Sequence, residues 1–292
     1  MDFISGEELL HLCRAQKCDI SEIMIRREVS ETGDTRAHIL KRMQDAYLIM
    51  KKAAKEPLER EVRSMGGLIG GEAMKLHHYH ENGLSLCGTV VSLAITYAMA
   101  VLEVNASMGL IVAAPTAGAS GVVPGVLLAL QEMNQLSDEC VTNSLFTAGA
   151  VGYLFMRNAS VSGAEAGCQA EVGVASAMAA SAAVSLMKGT PEQSLQAASI
   201  ATANLLGLVC DPIAGLVESP CQSRNAMGAG NALICAELAL SGVSQLIPFD
   251  EMVETMYQVG GKIPSELRET AKGGCAACET GIKIRSDLIS HR

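Results

Sequence analysis

The stretch VGVASAMAASAAVSLM, residues 172–187, decides the fold that we predict for this chain. It contains no charged residue, and alanine and serine make up more than half of it. Alanine is the strongest helix former, and its small side chain lets neighbouring helices approach closely. Because a helix that is apolar all round belongs in the interior of a large protein or in a membrane, we predict a central helix here.

A second charge-free run covers Leu84–Leu102 and is long enough to raise the question of a membrane span. It is interrupted by polar residues such as Ser85, Ser92 and Thr96. Neither a basic cluster nor an aromatic belt flanks it, although both are typical of membrane helices. We therefore favour a buried core helix over a membrane span for both runs.

Helical signals continue along the rest of the chain. Thr190-Pro191-Glu192-Gln193 combines a capping residue, a proline at the first helical position and a glutamine three residues after the cap, which predicts a helix that runs to about Val209. An amphipathic helix is predicted after Asp34 or Thr35, either of which could cap it. Further helices are predicted over residues 6–16, 84–104, 122–136, 138–157, 168–188, 228–242, 248–260 and 264–272.

No stretch shows the sustained alternation of a β-strand, so we predict an all-α fold. Neither an internal repeat nor a proline- or serine-rich linker divides the chain, and we expect a single large helical domain over residues 1–292. Residues 1–60 are more charged and are a candidate appended helical pair, and residues 273–292 are a candidate tail. Glycine and proline concentrate in the loops between the apolar helices, where we expect the binding residues.

Composition excludes some classes of function. The net charge of −9 argues against a nucleic-acid partner, because phosphate binding needs a basic face. The start, MDFISGEELLHLCRAQ, carries acidic residues where a secretory signal carries positive charge, and we expect a cytoplasmic protein. In that reducing compartment the ten cysteines are buried thiols, metal ligands or redox groups rather than disulfides.

Three cysteines lie in polar, glycine-rich segments of this largely apolar chain. Cys168 is in SGAEAGCQAEVG, at or just inside a predicted helix start, where the free amide groups favour a thiolate. Cys210 and Cys221 are in CDPIAGLVESPCQSRNAMGAGNA. Their spacing matches no standard metal pattern, so a metal site and buried thiols remain equal alternatives at this point. We interpret three others as small buried hydrophobes, namely Cys87, Cys140 and Cys235.

Three segments carry a resemblance to a known family. Asn158–Gly173, Gly207–Ala232 and Ala114–Gly125 resemble the signature regions of bacterial iron–sulfur L-serine dehydratases, and in particular of the α subunit of the two-chain form. The resemblance implies an all-helical catalytic domain and a separate β subunit with an α/β fold as partner. It also implies a [4Fe-4S] cluster that Cys168, Cys210 and Cys221 hold.

The activity that the resemblance implies is β-elimination of water from L-serine, giving pyruvate and ammonia without pyridoxal phosphate. The family implies roles in amino-acid catabolism and gluconeogenesis, and an exposed cluster iron implies sensitivity to oxygen. Two alternatives remain open. One is a related cluster-dependent lyase acting on cysteine, threonine or a hydroxy acid, and the other is a non-enzymatic iron–sulfur sensor. A zinc protein is disfavoured because the three cysteines lack a fourth ligand at a standard spacing.

Loop amides and polar side chains near these segments are candidates for binding the substrate. The loop after Pro115 can present backbone N–H groups and hydroxyls to a carboxylate, although a tight turn between helices is its plainer interpretation. Arg224 is a candidate for substrate or cluster contacts, with a structural ion pair to Glu165, Glu171 or Glu218 as the alternative. The full set of substrate-binding candidates is Thr116, Ala117, Gly118, Ala119, Ser120, Asn158, Ser162, Arg224 and Asn225.

The elimination also needs a general base, and histidine is the usual choice. His77 and His80 lie in KLHHYHEN, the one cluster of histidines, and are our candidates, with an exposed helix end as the alternative. A second cysteine pair, Cys275 and Cys278, precedes the end of the chain. Single-chain members of the family end in a cysteine that can occupy the open iron position, whereas this chain continues to Arg292, so that role stays a hypothesis here.

Overall fold

The computed structural model describes residues 2–290. In it the alanine- and serine-rich stretch forms the central helix. This helix covers Val174–Leu186, and every residue in it except Ser185 is buried. It packs against four other helices of the bundle. The prediction of a buried central helix at this position is confirmed.

Thirteen α-helices make up most of the described chain, and the fold class is all-α, as predicted. In chain order they are α1 Gly6–Gln16, α2 Ile20–Thr32, α3 Arg36–Glu59, α4 Glu72–Glu81, α5 Thr89–Ala106, α6 Val122–Asn134, α7 Asp138–Asn158, α8 Gly163–Ala166, α9 Val174–Leu186, α10 Pro191–Asn204, α11 Cys221–Leu240, α12 Phe249–Lys262 and α13 Glu279–Ser290. A π-helical turn, Gln169–Gly173, leads into α9.

Two apolar helices organise the bundle. The central α9 packs against α6, α7, α10 and α11, and α5 packs against α3, α4, α6 and α11. The crossing of α5 and α6 is close, because a Cβ on Gly125 would lie only 2.6 Å from the carbonyl oxygen of Ala94. Buried side chains from the helices between α1 and α12 form one continuous core.

Helix α5 corresponds to the second charge-free run. Among residues 2–290 it is the one helix that is long and apolar enough to cross a membrane, and half of that window is buried within the bundle. The fully buried Glu103 lies within it and accepts hydrogen bonds from the Ala73 amide and the Gln222 side chain, each at 3.0 Å. A carboxyl group bonded to two other segments places this helix in the protein core.

The first 60 residues contain three helices rather than a pair, and Leu9, Ile23 and Ile25 enter the shared core. The capping box at Thr190 is present, but α10 ends at Asn204, short of the predicted Val209. Helix α11 begins at Cys221, earlier than predicted, and the predictions missed α2, α4, α8 and α13. The helix predicted over residues 264–272 is wrong, because only a 3-10 turn, Ser265–Leu267, forms there.

Candidate active site

The three cysteines singled out in the sequence come together in the structure. Cys168 immediately precedes the π-helical turn, Cys210 lies in extended chain, and Cys221 is the first residue of α11. All three are buried, with 3%, 3% and 8% of their surface exposed. Burial raises the pKa of the Cys168 thiol to about 11 and that of Cys221 to about 12, and Cys168 and Glu171 raise the latter further.

Cys210 is fixed by the segment that follows α12. Its amide donates to the Leu267 carbonyl at 2.8 Å, and its carbonyl accepts from the Glu269 amide at 2.6 Å. These bonds make a short parallel bridge between Cys210 and Arg268. This pairing uses the Leu267 carbonyl and the Glu269 amide, so these groups cannot form the bonds of the predicted helix. Burial raises the pKa of the Cys210 thiol, and nearby Glu171 raises it further.

Arg224 is the cation at this site. Its positive charge lowers the pKa of the Cys168 thiol against the larger opposite effect of burial, and its Nη1 donates to the Val209 carbonyl at 2.8 Å. Its Nη2 forms an ion pair with the buried carboxylate of Asp211, at 2.7 Å from Oδ1. The sequence-based alternative of an ion pair with Glu165, Glu171 or Glu218 is therefore wrong. Arg224 instead pairs with Asp211, the residue that follows the candidate metal ligand Cys210.

The glycine-rich loop borders the same site. Thr116 Oγ1 donates to Glu171 Oε1 at 2.8 Å, and a Cβ on Gly118 would lie 3.4 Å from that same oxygen. Ala117–Ala119 form a 3-10 turn whose first two amides, those of Ala117 and Gly118, have no acceptor among residues 2–290. The predicted loop therefore reaches the site with free N–H donors.

Two of the candidate substrate-binding residues use their side chains within the protein. The fully buried Asn225 accepts from the Gly121 amide at 3.0 Å and donates to the carbonyls of Gly118 and Cys221 at 2.8 and 2.9 Å. Ser120 is also fully buried, and its hydroxyl donates to Ala117 at 2.7 Å. Asn225 thus ties the loop to a candidate metal ligand.

Asn158 and Ser162 take different positions. The Asn158 side chain donates to the carbonyl of Ile4 at 2.8 Å, so it holds the N-terminal segment. Ser162 is half-buried and directly precedes Gly163. A Cβ on Gly163 would lie 2.4 Å from Glu171 Oε2 and 3.1 Å from Cys210 Sγ, which places this backbone against the site.

Glu171 and Glu269 join the site although the sequence predictions did not select them as functional residues. One oxygen of each carboxylate and the Cys210 sulfur lie within 4.8 Å of one another, a grouping that could hold a metal ion. Burial raises the pKa of the half-buried Glu171, and the charge of Glu269 raises it further. Glu171 Oε2 also accepts from the Cys210 thiol at 3.7 Å.

The candidate histidines lie on α4. The Nδ1 atoms of His77 and His80 are buried and have no hydrogen-bond partner among the described residues, and His77 Nε2 lies 3.3 Å from the Glu81 carboxylate. The first turn of α4 is joined to α11 through Glu103, which bonds to Ala73 and to the neighbour of Cys221. Helix α4 is thus coupled to the site through a buried carboxyl group.

The C-terminal cysteine pair is anchored beside the site. The Cys275 amide donates to Asp211 Oδ2 at 2.6 Å, and the Cys278 thiol donates to the Cys275 carbonyl at 3.0 Å. Both cysteines are exposed. Of the cysteines interpreted as buried hydrophobes, Cys235 is buried and Cys140 partly so, whereas Cys87 is exposed and that interpretation of it was wrong.

Comparison with known proteins assigns the chain to a family. The family described as "Serine dehydratase alpha chain" matches residues 15–276, which include all three central cysteines. The chain belongs to this family. It is 47% identical over 287 residues to the "Probable L-serine dehydratase, alpha chain" of Bacillus subtilis, covering 98% of this chain and 95% of that protein. It is 42% identical to the "L-serine dehydratase, alpha chain" of Peptoniphilus asaccharolyticus, covering 98% of both chains.

This chain also resembles part of longer proteins. It is 38% identical to the "L-serine dehydratase" of Streptomyces coelicolor, covering 94% of this chain and 60% of that protein. The resemblance found in the sequence is therefore confirmed. Within the quoted segments, the sequence offered a signal for Glu171, three residues after Cys168, and for Asp211, next to Cys210. It offered none for Glu269, because only the folded chain brings that residue to Cys210.

Proposed function

We propose that this chain is the catalytic subunit of an L-serine dehydratase, which eliminates water from L-serine and releases pyruvate and ammonia. The observation that carries the proposal is the convergence of three buried thiols beside Arg224 and the glycine-rich loop. The names of the Bacillus and Peptoniphilus relatives support the same substrate. Such a reaction serves amino-acid catabolism and gluconeogenesis, and we place the enzyme in the cytoplasm.

The donor set fits a [4Fe-4S] cluster. Thiolates are the ligands that iron–sulfur clusters prefer, and Cys168, Cys210 and Cys221 are close enough for their charges to interact. We propose that these three residues hold the cluster. When bound through three protein ligands, a cluster supplies one iron as a Lewis acid for the departing hydroxyl group. An iron that no cysteine protects also makes the enzyme sensitive to oxygen.

The protein's own groups bind and orient the substrate in this proposal. The free amides of Ala117 and Gly118 donate to the substrate carboxylate, as the backbone groups of anion-binding loops do. Thr116 fixes Glu171, and Asn225 fixes the loop relative to Cys221. Ser162 lies next to the site, directly before Gly163. Asn158 does not bind substrate in this proposal, because its side chain holds the N-terminal segment.

A proton must leave Cα of serine, and His77 or His80 is the proposed acceptor. A neutral imidazole accepts a proton on its free ring nitrogen, and both residues keep an unpartnered Nδ1 in the described structure. The product of the elimination is aminoacrylate, which tautomerises to an imine and is hydrolysed to pyruvate and ammonia. Water is therefore both released and consumed, and the reaction needs no redox partner.

We further propose that a separate β subunit completes the enzyme. The match to this chain covers 60% of the Streptomyces coelicolor protein. The rest of that protein lies outside the match. The two-chain relatives are named as alpha chains, which is the name given to one of several subunits. A second chain would supply what the longer proteins carry in one polypeptide.

Anaerobic reconstitution with iron and sulfide tests the proposal. We expect the chain together with its β subunit to show a cluster absorption band that changes on addition of L-serine, and to release pyruvate and ammonia in equal amounts. Serine substitution of Cys168, Cys210 or Cys221 should abolish the band and the activity. Cys235→Ser is the matched control, because Cys235 is equally buried on α11 but bonds only to Asn204 and Asn231.

Two results would contradict the proposal. One is a cluster that survives serine substitution of each of the three cysteines. The other is full release of pyruvate after the cluster has been removed, since the hydroxyl group would then leave without a Lewis acid.

A further inference from the structure

Two carboxylates lie close to each other and to the Cys210 thiol. Glu171 comes from the π-helical turn before α9, and Glu269 comes from the segment after the Ser265–Leu267 turn. Their oxygens and the Cys210 sulfur all lie within 4.8 Å of one another. Like charges at this distance repel; Glu269 is exposed, so water screens part of the repulsion, and a proton or a cation held between the two carboxylates would relieve the rest.

The backbone holds Glu269 in this position at a conformational cost. Its φ angle is +59°, a left-handed value that non-glycine residues rarely adopt. The hydrogen bond from its amide to the Cys210 carbonyl, at 2.6 Å, fixes it there. Backbone in such a conformation is characteristic of functional sites, where surrounding contacts enforce it.

The two arginines next to the candidate cluster ligands bond to other groups. Arg224 forms its ion pair with Asp211, and the Arg268 guanidinium donates to the carbonyl of Glu165 at 3.0 Å. Among residues 2–290, neither Glu171 nor Glu269 forms an ion pair. Glu171 Oε1 is taken by Thr116, and Oε2 has only the Cys210 thiol as donor.

A second observation points to a ligand at the same place. The Cys221 thiol is more than nine-tenths buried and has no hydrogen-bond partner among the described residues, and the charges of Glu171 and Glu269 both act on it. Thiols and carboxylates thus converge on one space. If Cys210 binds metal as a thiolate, it no longer donates to Glu171 Oε2, which leaves that oxygen free for another donor.

We infer that Glu171 and Glu269 bind the α-ammonium group of the amino-acid substrate. An ammonium group carries one positive charge and three N–H donors, which match two carboxylates that lack a cation. This inference rests on the proposed function, since it assigns a recognition element to the same site. It also predicts the specificity: amino acids bind, and the corresponding acids without the amine bind poorly.

The test compares L-alanine with propanoate, two compounds that differ only in the ammonium group and cannot eliminate water. Their affinities for the anaerobic, cluster-loaded enzyme with its β subunit are measured by calorimetry. We expect the native enzyme to prefer L-alanine, and Glu269→Gln or Glu171→Gln to weaken L-alanine binding about tenfold or more, the usual effect of losing a charged hydrogen bond. Propanoate affinity and cluster absorbance should not change.

Glu266→Gln is the matched control, because Glu266 is an exposed glutamate in the turn just before Glu269. The inference is overturned if the native enzyme does not prefer L-alanine, or if Glu269→Gln weakens both compounds equally. It is also overturned if L-alanine binds only when a divalent metal is added, since the carboxylates would then serve the metal. Release of pyruvate from L-serine by the native enzyme is scored separately and tests the proposed function alone.

Discussion

Replacing Asn225 with alanine should lower the free energy of unfolding of the chain by about 3 kcal/mol. Asn225 is fully buried and makes three hydrogen bonds. Without it, the buried amide of Gly121 has no acceptor, which costs about 1–3 kcal/mol, and the lost bond to Gly118 adds about 1 kcal/mol. The bond to Cys221 contributes least, because the first carbonyl of a helix also accepts a backbone N–H.

Denaturant unfolding of the cluster-free chain measures this loss directly. Ser223→Ala is the control, because Ser223 is exposed two residues away on the same helix and bonds only to Pro220. We also expect a higher KM for L-serine in the Asn225→Ala enzyme, because Asn225 no longer fixes the position of the loop amides relative to Cys221. A change in unfolding free energy no larger than that of Ser223→Ala would refute the idea that Asn225 positions the loop.

Two further predictions concern proton transfer and pH. If His77 or His80 is the base, its replacement with alanine should reduce turnover about 10²–10⁴-fold and leave the cluster absorption band unchanged. His78→Ala is the control and should keep its turnover, because His78 is exposed. Equal turnover in all three variants would exclude both candidates. Burial raises the pKa of Cys168 and Cys221 from an ordinary value of 9.0 to about 11 and 12, so the folded cluster-free chain holds these protons more tightly than the unfolded chain. The resulting stability is present below pH 9 and is lost progressively as the pH rises from 9 through 11 and 12, so the denaturant concentration at the unfolding midpoint should be lower at pH 11 than at pH 8; an unchanged midpoint would contradict this.

The sequence was sufficient for the parts of the fold that depend on local pattern. Residues 172–187 predicted a buried helix, and the capping box at Thr190 predicted a helix start, because both signals lie within one or two turns of chain. The polar segments around Cys168, Cys210 and Cys221 led to the prediction that these three residues form one site. In the structure these three cysteines lie near one another and near Thr116 and Arg224.

The parts that the sequence could not predict depend on contacts between distant segments. Residues 264–272 have helical composition, but the backbone of Cys210 pairs with Leu267 and Glu269 and removes the bonds that a helix would need. The partner of Arg224 is Asp211, although three glutamates were equally plausible from sequence. Glu269 approaches Cys210 through the same pairing, so no local motif could have marked it.

The two sides of the thiol cluster differ in how firmly the fold holds them. Cys168 leads into α9, whose backbone is buried on all sides, whereas Cys210 depends on a two-bond bridge to the exposed segment around Glu269. Local opening free energies follow burial, so amide hydrogens should exchange slowly along α9 and quickly at residues 267–269. We therefore expect damage to the proposed metal centre to begin with opening of this bridge, which would release Cys210 while Cys168 remains in place.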